Sequence, residues 1–312
     1  MDKRAAVVLG VIFGGLFLVL FGFMLLAYSA VKSGGSLDTD TVVGARIGLV
    51  ECKGTIGDPQ QGVDSDKVIK QLRKYEKEDD VKVIVLRVDS PGGAVAPSQE
   101  IYDAVKRIKA KKKIVVSMGN LAASGGYYIS APADKIFAEP GTLTGSIGVI
   151  FMHFNVRGLL ELAKVDETTF KSGKYKDTLS PFRPVGDTDR EEIQGLSDDI
   201  YGQFVKAVAE GRGLKEEQVR EIAQGRIYTG RRAKELKLVD ELGGLDDALQ
   251  AAWTLAGQSG EPKVQYPAKE HELSIRDLMR GAFQGAASGV ADGVRASSGG
   301  GGLQLLAPAL VQ

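Results

Sequence analysis

The stretch MGNLAASGGYYIS, residues 118–130, places Ser124 between two alanines and two glycines. A serine hydroxyl becomes a nucleophile when a neighbouring base removes its proton, and the resulting oxyanion needs preorganised donors, usually backbone N–H groups. Glycine after the serine lets backbone and substrate approach closely. Because the apolar run KIVVSM precedes the stretch, Ser124 is predicted at a strand-to-helix junction. Both catalysis and an ordinary helix cap would use a serine there.

The base that would activate Ser124 is harder to find, because the chain has only two histidines, His153 and His271. His153 ends a predicted strand and His271 lies beyond the main domain, so neither is expected to be catalytic. A lysine takes this role when burial or neighbouring cations lower its pKa. The segment FKSGKYKDTLSPFRP, residues 170–184, offers three lysines in a predicted ordered loop: Lys171, Lys174 and Lys176. The residues alone leave the choice among the three open.

A second pair of glycines follows another buried strand, in RVDSPGGAV at residues 87–95. Such a turn offers N–H groups to an oxyanion, or it is a tight turn whose glycines only adopt positive φ. Since ligand sites of parallel α/β sheets lie at the carboxyl ends of the strands, we expect Gly92 and Gly93 to lie beside Ser124. The two turns together predict a site at this edge of the sheet.

The elements around these turns alternate between strand and helix. Strands are predicted at 46–54, 81–88, 113–118, 135–138 and 146–151, and helices at 66–77, 98–111, 124–133, 189–209 and 215–223. This alternation indicates an α/β layer with a mostly parallel sheet, and no internal repeat occurs at a fixed period. The single cysteine, Cys52, can form no intramolecular disulfide and is expected to be a small buried apolar residue.

The N-terminal run at residues 5–31 carries no charge and exceeds the roughly 20 residues that a helix needs to cross a bilayer. Lys3 and Arg4 precede it, so the bias of cations towards the cytoplasm places residues 1–4 inside and the rest of the chain outside. A cleaved signal peptide is the alternative, but its apolar core is usually only about 7 to 15 residues long. We therefore expect a single-pass transmembrane anchor at 5–31.

Composition divides the rest of the chain into three parts. Residues 32–42 are a polar linker, residues 43–256 the folded domain, and residues 257–312 a C-terminal extension with a Gly/Ala-rich tail that is expected to be flexible. Forty basic residues balance forty acidic ones, so the overall charge gives no indication of a nucleic-acid partner. A peptide or small-molecule substrate fits this composition.

Together these segments resemble the signal peptide peptidase A family, the membrane-anchored serine proteases of peptidase family S49, whose fold is similar to those of ClpP and crotonase. The similarity covers about residues 47–256, and eight motifs occur in the expected order. They are DSPGG, MGNLAASGGYYIS, ADKIFA, GTLTGSIGVI, SGKYKD, SPFRP, GRIYTGRRAKEL and LVDELGG. The resemblance implies a ClpP/crotonase-like α/β domain of repeated β-β-α units in a superhelix, preceded by one transmembrane helix.

The resemblance implies a Ser/Lys catalytic dyad, with Ser124 as nucleophile and Lys176 as general base. It also implies that the Ser146 hydroxyl orients the lysine. An adjacent carboxylate would favour the charged form of the lysine, so we predict that Asp177 points away from Lys176.

The same resemblance implies that the Gly125 amide, together with Gly92 or Gly93, forms the oxyanion hole, and that neither a metal nor a cofactor takes part. It implies a ring or dome-shaped homo-oligomer with enclosed sites, which would limit substrates to short or unfolded peptides. The expected function is digestion of signal peptide remnants by a single-pass protein of the bacterial cytoplasmic membrane with an extracytoplasmic catalytic domain. An apolar substrate pocket is expected with it.

Two alternatives would use the same fold. A crotonase-like enzyme acting on a coenzyme A thioester would share the strands and the glycine turns, but the anchor would separate its domain from cytoplasmic coenzyme A. A catalytically inactive membrane scaffold would tolerate Ser124→Ala without losing any activity. The Gly/Ala-rich tail departs from the compact family pattern, and no role is assigned to it.

Overall fold

The computed structural model describes Phe21, Met24, residues 44–60 and residues 62–267. The predicted anchor at 5–31 lies outside the described residues apart from Phe21 and Met24, and the predicted linker and the Gly/Ala-rich tail lie outside them as well. In the described part of the chain, no helix combines the length and the apolar character needed to cross a bilayer.

A mixed sheet of eight strands forms the centre of the described domain. The strands are β1 (Arg46–Lys53), β2 (Val81–Ser90), β3 (Lys113–Ala123), β4 (Lys135–Ala138), β5 (Leu143–Gly145), β6 (Ile227–Thr229), β7 (Glu241–Leu242) and β8 (Val264–Gln265). They lie in the order β6-β5-β3-β2-β1-β8, with β4 between β3 and β7. All paired strands are parallel except β5 and β6. This confirms the predicted α/β layer with a mostly parallel sheet.

Helices cover both faces of the sheet. Those in the described part are α1 (Ser65–Lys77), α2 (Val95–Lys109), α3 (Gly125–Ser130), α4 (Arg157–Leu162), α5 (Asp187–Arg212), α6 (Glu216–Ile222), α7 (Gly230–Glu235) and α8 (Leu245–Leu255). Alternate residues of the central strands enter two different cores, since successive side chains of a strand point to opposite faces. Ile84 and Leu86 pack with α1, α2 and α5, whereas Val83 and Val85 pack with α8.

The position of Cys52 agrees with its expected structural role. The residue is fully buried in the core beneath α1 and α2. Burial raises the pKa of its thiol to about 12, because the charged thiolate would lose its hydration there. Cys52 is therefore a small apolar core residue with an unreactive thiol.

The predicted strand at 146–151 is wrong. The sheet uses Leu143–Gly145 instead, and the backbone leaves it at once because Gly145 and Ser146 have positive φ values of 81° and 49°. Two successive residues in that region cannot continue an extended strand. The Ser146 N–H donates to Arg226 O at 2.8 Å, and Ile150 beyond it is exposed.

Two other boundaries bear on the site. Strand β3 continues past the predicted end at Met118 to Ala123, so that it leads directly into Ser124. Strand β8 pairs with β1 beyond the predicted domain end at Ala256. The parallel pairing of β2 with β3 brings the carboxyl ends of both strands, and the glycine turns that follow them, to the same edge of the sheet.

Candidate active site

Ser124 occupies a sharp turn between β3 and α3. Its backbone has φ 52° and ψ −121°, a conformation that non-glycine residues rarely adopt and that stores strain. Hydrogen bonds hold both sides of the turn: the Ser124 N–H donates to Gly145 O, and Ser124 O accepts from the Tyr128 N–H, each at 2.9 Å. A serine at a strained strand-to-helix turn is the arrangement that presents the nucleophile in many hydrolases.

The side chain of Ser124 does not cap the helix that follows. A serine at this position usually accepts a hydrogen bond from a backbone N–H of the first helical turn. Here no such bond is formed, and the hydroxyl contacts no hydrogen-bond partner in residues 44–60 or 62–267. The helix-cap explanation for Ser124 therefore does not apply.

Glycines let the two turns approach each other closely. A Cβ atom on Gly92 would lie 2.5 Å from Gly125 N and 2.8 Å from Ser124 Cβ, and one on Gly125 would lie 2.6 Å from Ser98 Oγ. Cβ atoms do not approach other atoms so closely, so a larger residue at either position would displace the backbone. The expectation that the two glycine pairs lie side by side is confirmed.

The backbone N–H groups around Ser124 differ in whether they are already hydrogen-bonded. The Gly92 N–H donates to Ser90 Oγ at 3.1 Å. The N–H groups of Gly93 and Gly125 donate to no atom of the described residues. Gly93 N lies 3.3 Å from the position that a Cβ on Gly125 would take, so the two free amides are close together. Adjacent free amides beside a nucleophile are able to stabilise an oxyanion.

A small apolar pocket opens next to Ser124. Its volume is about 40 Å³, enough for a few atoms of a ligand side chain. The apolar walls are Val95, Tyr128, Val149, Ile200 and Phe204. The Tyr128 and Phe204 rings pack against each other with centroids 4.8 Å apart. A wider hollow along α1, lined mainly by cationic side chains, shares no residue with this pocket.

Ser146 follows the strand that neighbours β3. Ala123 pairs with Gly145 across the sheet, so Ser124 and Ser146 each come directly after the last paired residue of their strand. The Ser146 hydroxyl makes no hydrogen bond to another residue within the described ranges. A second unengaged hydroxyl therefore lies at the same edge of the sheet as Ser124.

The three candidate lysines differ in what their ammonium groups contact. Lys171 Nζ donates to Asp177 Oδ1 at 2.6 Å. Lys174 Nζ lies 4.9 Å from the centroid of the Tyr175 ring and donates to its hydroxyl at 3.2 Å. Lys176 is exposed, and its ammonium has neither an ion-pair nor a hydrogen-bond partner in the part of the chain that the structure describes. Of the three, Lys176 is the one whose ammonium contacts neither a carboxylate nor an aromatic side chain in the described residues.

Lys176 and Ser124 are not in contact in the structure. Lys176 does not line the pocket beside Ser124, and no hydrogen bond joins the two residues. The lysine lies in residues 150–186, called here the exposed segment because none of its residues is buried. The chain thus brings the serine and the glycine turns together and leaves the lysine apart from them.

The exposed segment carries many apolar side chains. Phe170 is 94% exposed, Leu162 84% and Phe154 75%. Single exposed apolar residues are common on protein surfaces, whereas contiguous apolar patches are typical of interaction surfaces.

Neither histidine joins the site. His153 lies in the exposed segment, its Nε2 is inaccessible to solvent, and that atom has no hydrogen-bond partner among the described residues. It does not line the pocket beside Ser124. His271 lies outside the described residues.

Sequence reasoning missed the contribution of α5 and of Arg183. Ile200 and Phe204 reach the pocket from α5, a helix far along the chain from both glycine turns. The sequence indicates that α5 has an apolar face, but it does not indicate what that face packs against. Arg183, within the motif SPFRP, has no role that its sequence context indicates, although it bridges two carboxylates in the structure.

Comparisons with known proteins agree with this geometry. A model of peptidase family S49 matches residues 106–259, and a model of Clp protease matches residues 51–142. The chain is 46% identical over 217 residues to a candidate protease of Synechocystis sp., covering 70% of this chain and 78% of that protein. It is 44% identical over 182 residues to a candidate signal peptide peptidase SppA of Enterococcus faecium, covering 58% of this chain and 53% of that protein. Identity to Protease 4 of Salmonella typhi is 38% over 225 residues, covering 71% of this chain and 36% of that protein.

The sheet, its glycine turns and the Clp protease match define the class as an α/β protein with a ClpP-like fold. Within that class, the S49 match and the extent of the Synechocystis similarity are decisive. The chain belongs to peptidase family S49, a family of serine peptidases.

Proposed function

We propose that this protein is a membrane-anchored serine endopeptidase that digests cleaved signal peptides and other short or unfolded peptides with a Ser124/Lys176 dyad. The observation that carries the proposal is the strained, uncapped Ser124 beside the two free amides of Gly93 and Gly125. Strain and unsatisfied donors cost stability, so they are retained where a reaction uses them.

The first half of the reaction forms an acyl-enzyme. Ser124 Oγ attacks the carbonyl carbon of the scissile peptide bond while its proton passes to the neutral amine of Lys176. The N–H groups of Gly93 and Gly125 hold the oxyanion, with Gly92 packed behind them. The carbon–nitrogen bond then breaks, and the lysine ammonium returns the proton to the leaving amine.

The second half releases the peptide acid. Water attacks the ester carbonyl, Lys176 accepts its proton, and the same two amides stabilise the second oxyanion. The bond to Ser124 Oγ breaks as the lysine returns the proton to the serine. The small apolar pocket favours short aliphatic side chains next to the cleaved bond, and such side chains are abundant in signal peptide remnants.

The family resemblance selects Lys176 as the candidate base, and the contacts support this choice. Its ammonium has no partner in the described residues, whereas Lys171 is paired with Asp177 and Lys174 contacts the ring and hydroxyl of Tyr175. A base must be neutral before it accepts a proton, and an ion pair would stabilise its charged form. Ser146 is proposed to orient the lysine amine from the edge of β5, where its hydroxyl is unengaged.

Assembly is proposed to bring the lysine to the serine. In a single chain the two residues are not in contact, and the segment that carries Lys176 exposes apolar side chains such as Phe154 and Phe170. Burying those side chains against another copy would order the segment and enclose the sites. The uncharged run at residues 5–31 would anchor this homo-oligomer to the cytoplasmic membrane, with the catalytic domains outside.

The test is hydrolysis of a fluorogenic peptide with small aliphatic side chains by the purified full-length chain. Ser124→Ala and Lys176→Ala are each expected to lower kcat/KM by about 10³-fold or more while the protein stays folded. Matched controls are Ser130→Ala, in the helix after the nucleophile, and Lys174→Ala, in the same loop as Lys176. Full activity in Lys176→Ala would disprove the dyad, and a wild-type protein that cleaves no peptide would favour the inactive scaffold.

A further inference from the structure

The carboxylate beside Lys176 in the sequence is held by an arginine. Arg183 Nε donates to Asp177 Oδ2 at 2.9 Å, and Arg183 Nη2 donates to Asp177 Oδ1 at 3.2 Å and to Asp177 O at 3.1 Å. Lys171 Nζ adds a hydrogen bond to Asp177 Oδ1 at 2.6 Å. Asp177 therefore pairs with Arg183 and Lys171, and no ion pair joins it to Lys176 within the described residues. Bidentate pairing of this kind fixes the carboxylate in one orientation.

A second carboxylate holds the arginine from the other side. Asp189, in the first turn of α5, accepts from Arg183 Nη1 at 2.5 Å and from Nη2 at 2.8 Å. Asp189 also accepts from the Gly186 N–H at 2.9 Å and from Thr178 Oγ1 at 3.2 Å. Only 6% of Asp189 is exposed. The cluster thus ties the loop that carries Lys176 to the first turn of α5, a long helix whose C-terminal half is packed in the core.

No other described charge competes for Asp177. The charged groups that face it are Arg183 and Lys171, both from its own loop. The chain before α4 packs against this loop through a hydrogen bond from the Val156 N–H to Pro181 O. The nearest charges of α4, Arg157 and Glu161, pair with each other at 2.8 Å.

We propose that Arg183, anchored by Asp189, is a positioning residue that keeps the Asp177 carboxylate away from Lys176 and so leaves the lysine without a counter-ion. This inference rests on the proposed role of Lys176 as base. Without the arginine, Asp177 would keep only the exposed ion pair with Lys171, and a single exposed pair does not hold a carboxylate in one orientation. The carboxylate would then be free to turn towards the adjacent Lys176 and stabilise its charged ammonium. In the sequence an acid directly follows the proposed base, and the pairing with Arg183 keeps that acid from becoming the counter-ion of the lysine.

The electrostatics of the cluster agree with this geometry. Hydrogen bonds from Arg183 and then Lys171 lower the pKa of Asp177 to about 2. Hydrogen bonds from Arg183 and from the Gly186 backbone hold the pKa of Asp189 well below its usual range. Both acids therefore stay ionised and paired with the arginine across the pH range in which a lysine base would titrate.

The test is the pH dependence of kcat/KM for peptide hydrolysis by the full-length chain, since its acidic limb reports the pKa of the base in the free enzyme. Arg183→Gln is expected to shift the midpoint of that limb to higher pH by about one unit, because the freed carboxylate favours the lysine ammonium. Arg183→Lys retains one charge but cannot bridge both carboxylates, so a smaller upward shift is expected. This second variant also serves if Arg183→Gln fails to fold.

A second substitution, at Asp177, distinguishes the positioning role of Arg183 from a role in which the arginine only orders the loop. Adding Asp177→Asn to Arg183→Gln removes the freed carboxylate and is expected to return the limb to its wild-type position. Asp177→Asn alone should leave the limb at or slightly below that of the wild type. The matched control is Arg157→Gln, which removes an exposed arginine of α4 and should not move the limb.

Four results would count against the inference. If Arg183→Gln lowers kcat/KM equally at every pH, the arginine only orders the loop. If Asp177→Asn fails to restore the limb, the shift comes from the lost cation and not from the freed carboxylate. If Lys176→Ala retains full activity, the proposed base is wrong and the inference fails with it. If Lys176→Ala is inactive but Arg183→Gln leaves the acidic limb at its wild-type pH, only the positioning role of Arg183 is refuted.

Discussion

The edge of the sheet that carries Ser124 and the exposed segment that carries Lys176 are built in opposite ways. Around Ser124 the backbone is strained, the glycine turns lack room for a Cβ atom, and the preceding strands are buried. In residues 150–186 no residue is buried and large apolar side chains face solvent. Packing within one chain holds the candidate nucleophile in place, whereas the segment with the candidate base has no buried residue.

Apart from loss of Ser124 or Lys176 themselves, the largest expected effect comes from adding a methyl group at the edge that carries Ser124. Gly92→Ala should lower kcat/KM by about 10²- to 10³-fold, because its Cβ would displace the Gly125 amide and weaken the oxyanion hole. Gly158→Ala in α4 is the matched control, since no atom lies within 4 Å of its Cβ position. Peptide hydrolysis and thermal unfolding of both variants measure the difference. Wild-type activity in Gly92→Ala would show that the edge is not tightly constrained.

Truncating a phenylalanine should have different consequences in the two regions. Phe204→Ala, at the pocket and 5% exposed, should lower the free energy of unfolding by about 3–5 kcal/mol. Phe170→Ala, 94% exposed, should leave subunit unfolding unchanged and weaken self-association, by about tenfold or more in the dissociation constant if the ring is buried there. Denaturant unfolding and analytical ultracentrifugation distinguish these effects. Unchanged assembly in Phe170→Ala would remove this side chain from the proposed interface.

Mixing inactive variants tests whether the segment completes the site of another copy. Ser124→Ala and Lys176→Ala are each expected to be inactive, and co-assembly at equal amounts should recover about one quarter of wild-type activity if serine and lysine come from different subunits. The recovered rate after co-expression is the measurement. Since the two residues are not in contact within one chain, we expect recovery. An inactive mixture of properly assembled protein would mean that both residues belong to the same subunit.

The smallest expected effect is a loss of stability of the loop around Asp177 at acidic pH. The pKa of Asp177 is about 2 in the fold, below its ordinary value near 4, so its pairing stabilises the loop above about pH 4 and is lost as the pH falls towards 2. Pepsin cleavage within residues 170–186 should therefore be slow at pH 4 and faster at pH 2.5, after correction for the protease's own pH dependence. Asp177→Asn should weaken this change. Equal cleavage profiles for the two proteins would contradict it.

Much of the fold was predictable from local patterns. The central layer was predicted from the β-branched runs of β1, β2 and β3 and from the apolar spacing of α1 and α2. Strands buried on both faces give continuous apolar runs, and helices buried on one face give apolar residues at helical spacing. The prediction of a strand at 146–151 was wrong because the positive φ of Ser146 cannot be recognised from the residue type. Strand β8 is two residues long, too short for any periodicity to reveal.

The candidate site was predictable in part. The glycine pairs indicated close approach, and the order of the strands indicated that the two turns meet. Which amides are free could not be read from the sequence, because the Gly92 N–H is taken by a side-chain hydroxyl two residues before it. The role of Arg183 depends on Asp189 across a loop, and charges at that spacing form many different pairs in other folds.

The sequence by itself determined the alternating α/β layer, the two glycine turns and the position of Ser124 after a buried strand. These features follow from local hydrophobic periodicity and from residue types with few allowed roles. Only the tertiary structure decided the strained backbone of Ser124, the two free amides, the wall supplied by α5 and the pairing of Asp177 with Arg183. Each of these depends on atoms brought together from distant parts of the chain, where hydrogen bonding and steric contact act over a few ångströms regardless of separation in sequence.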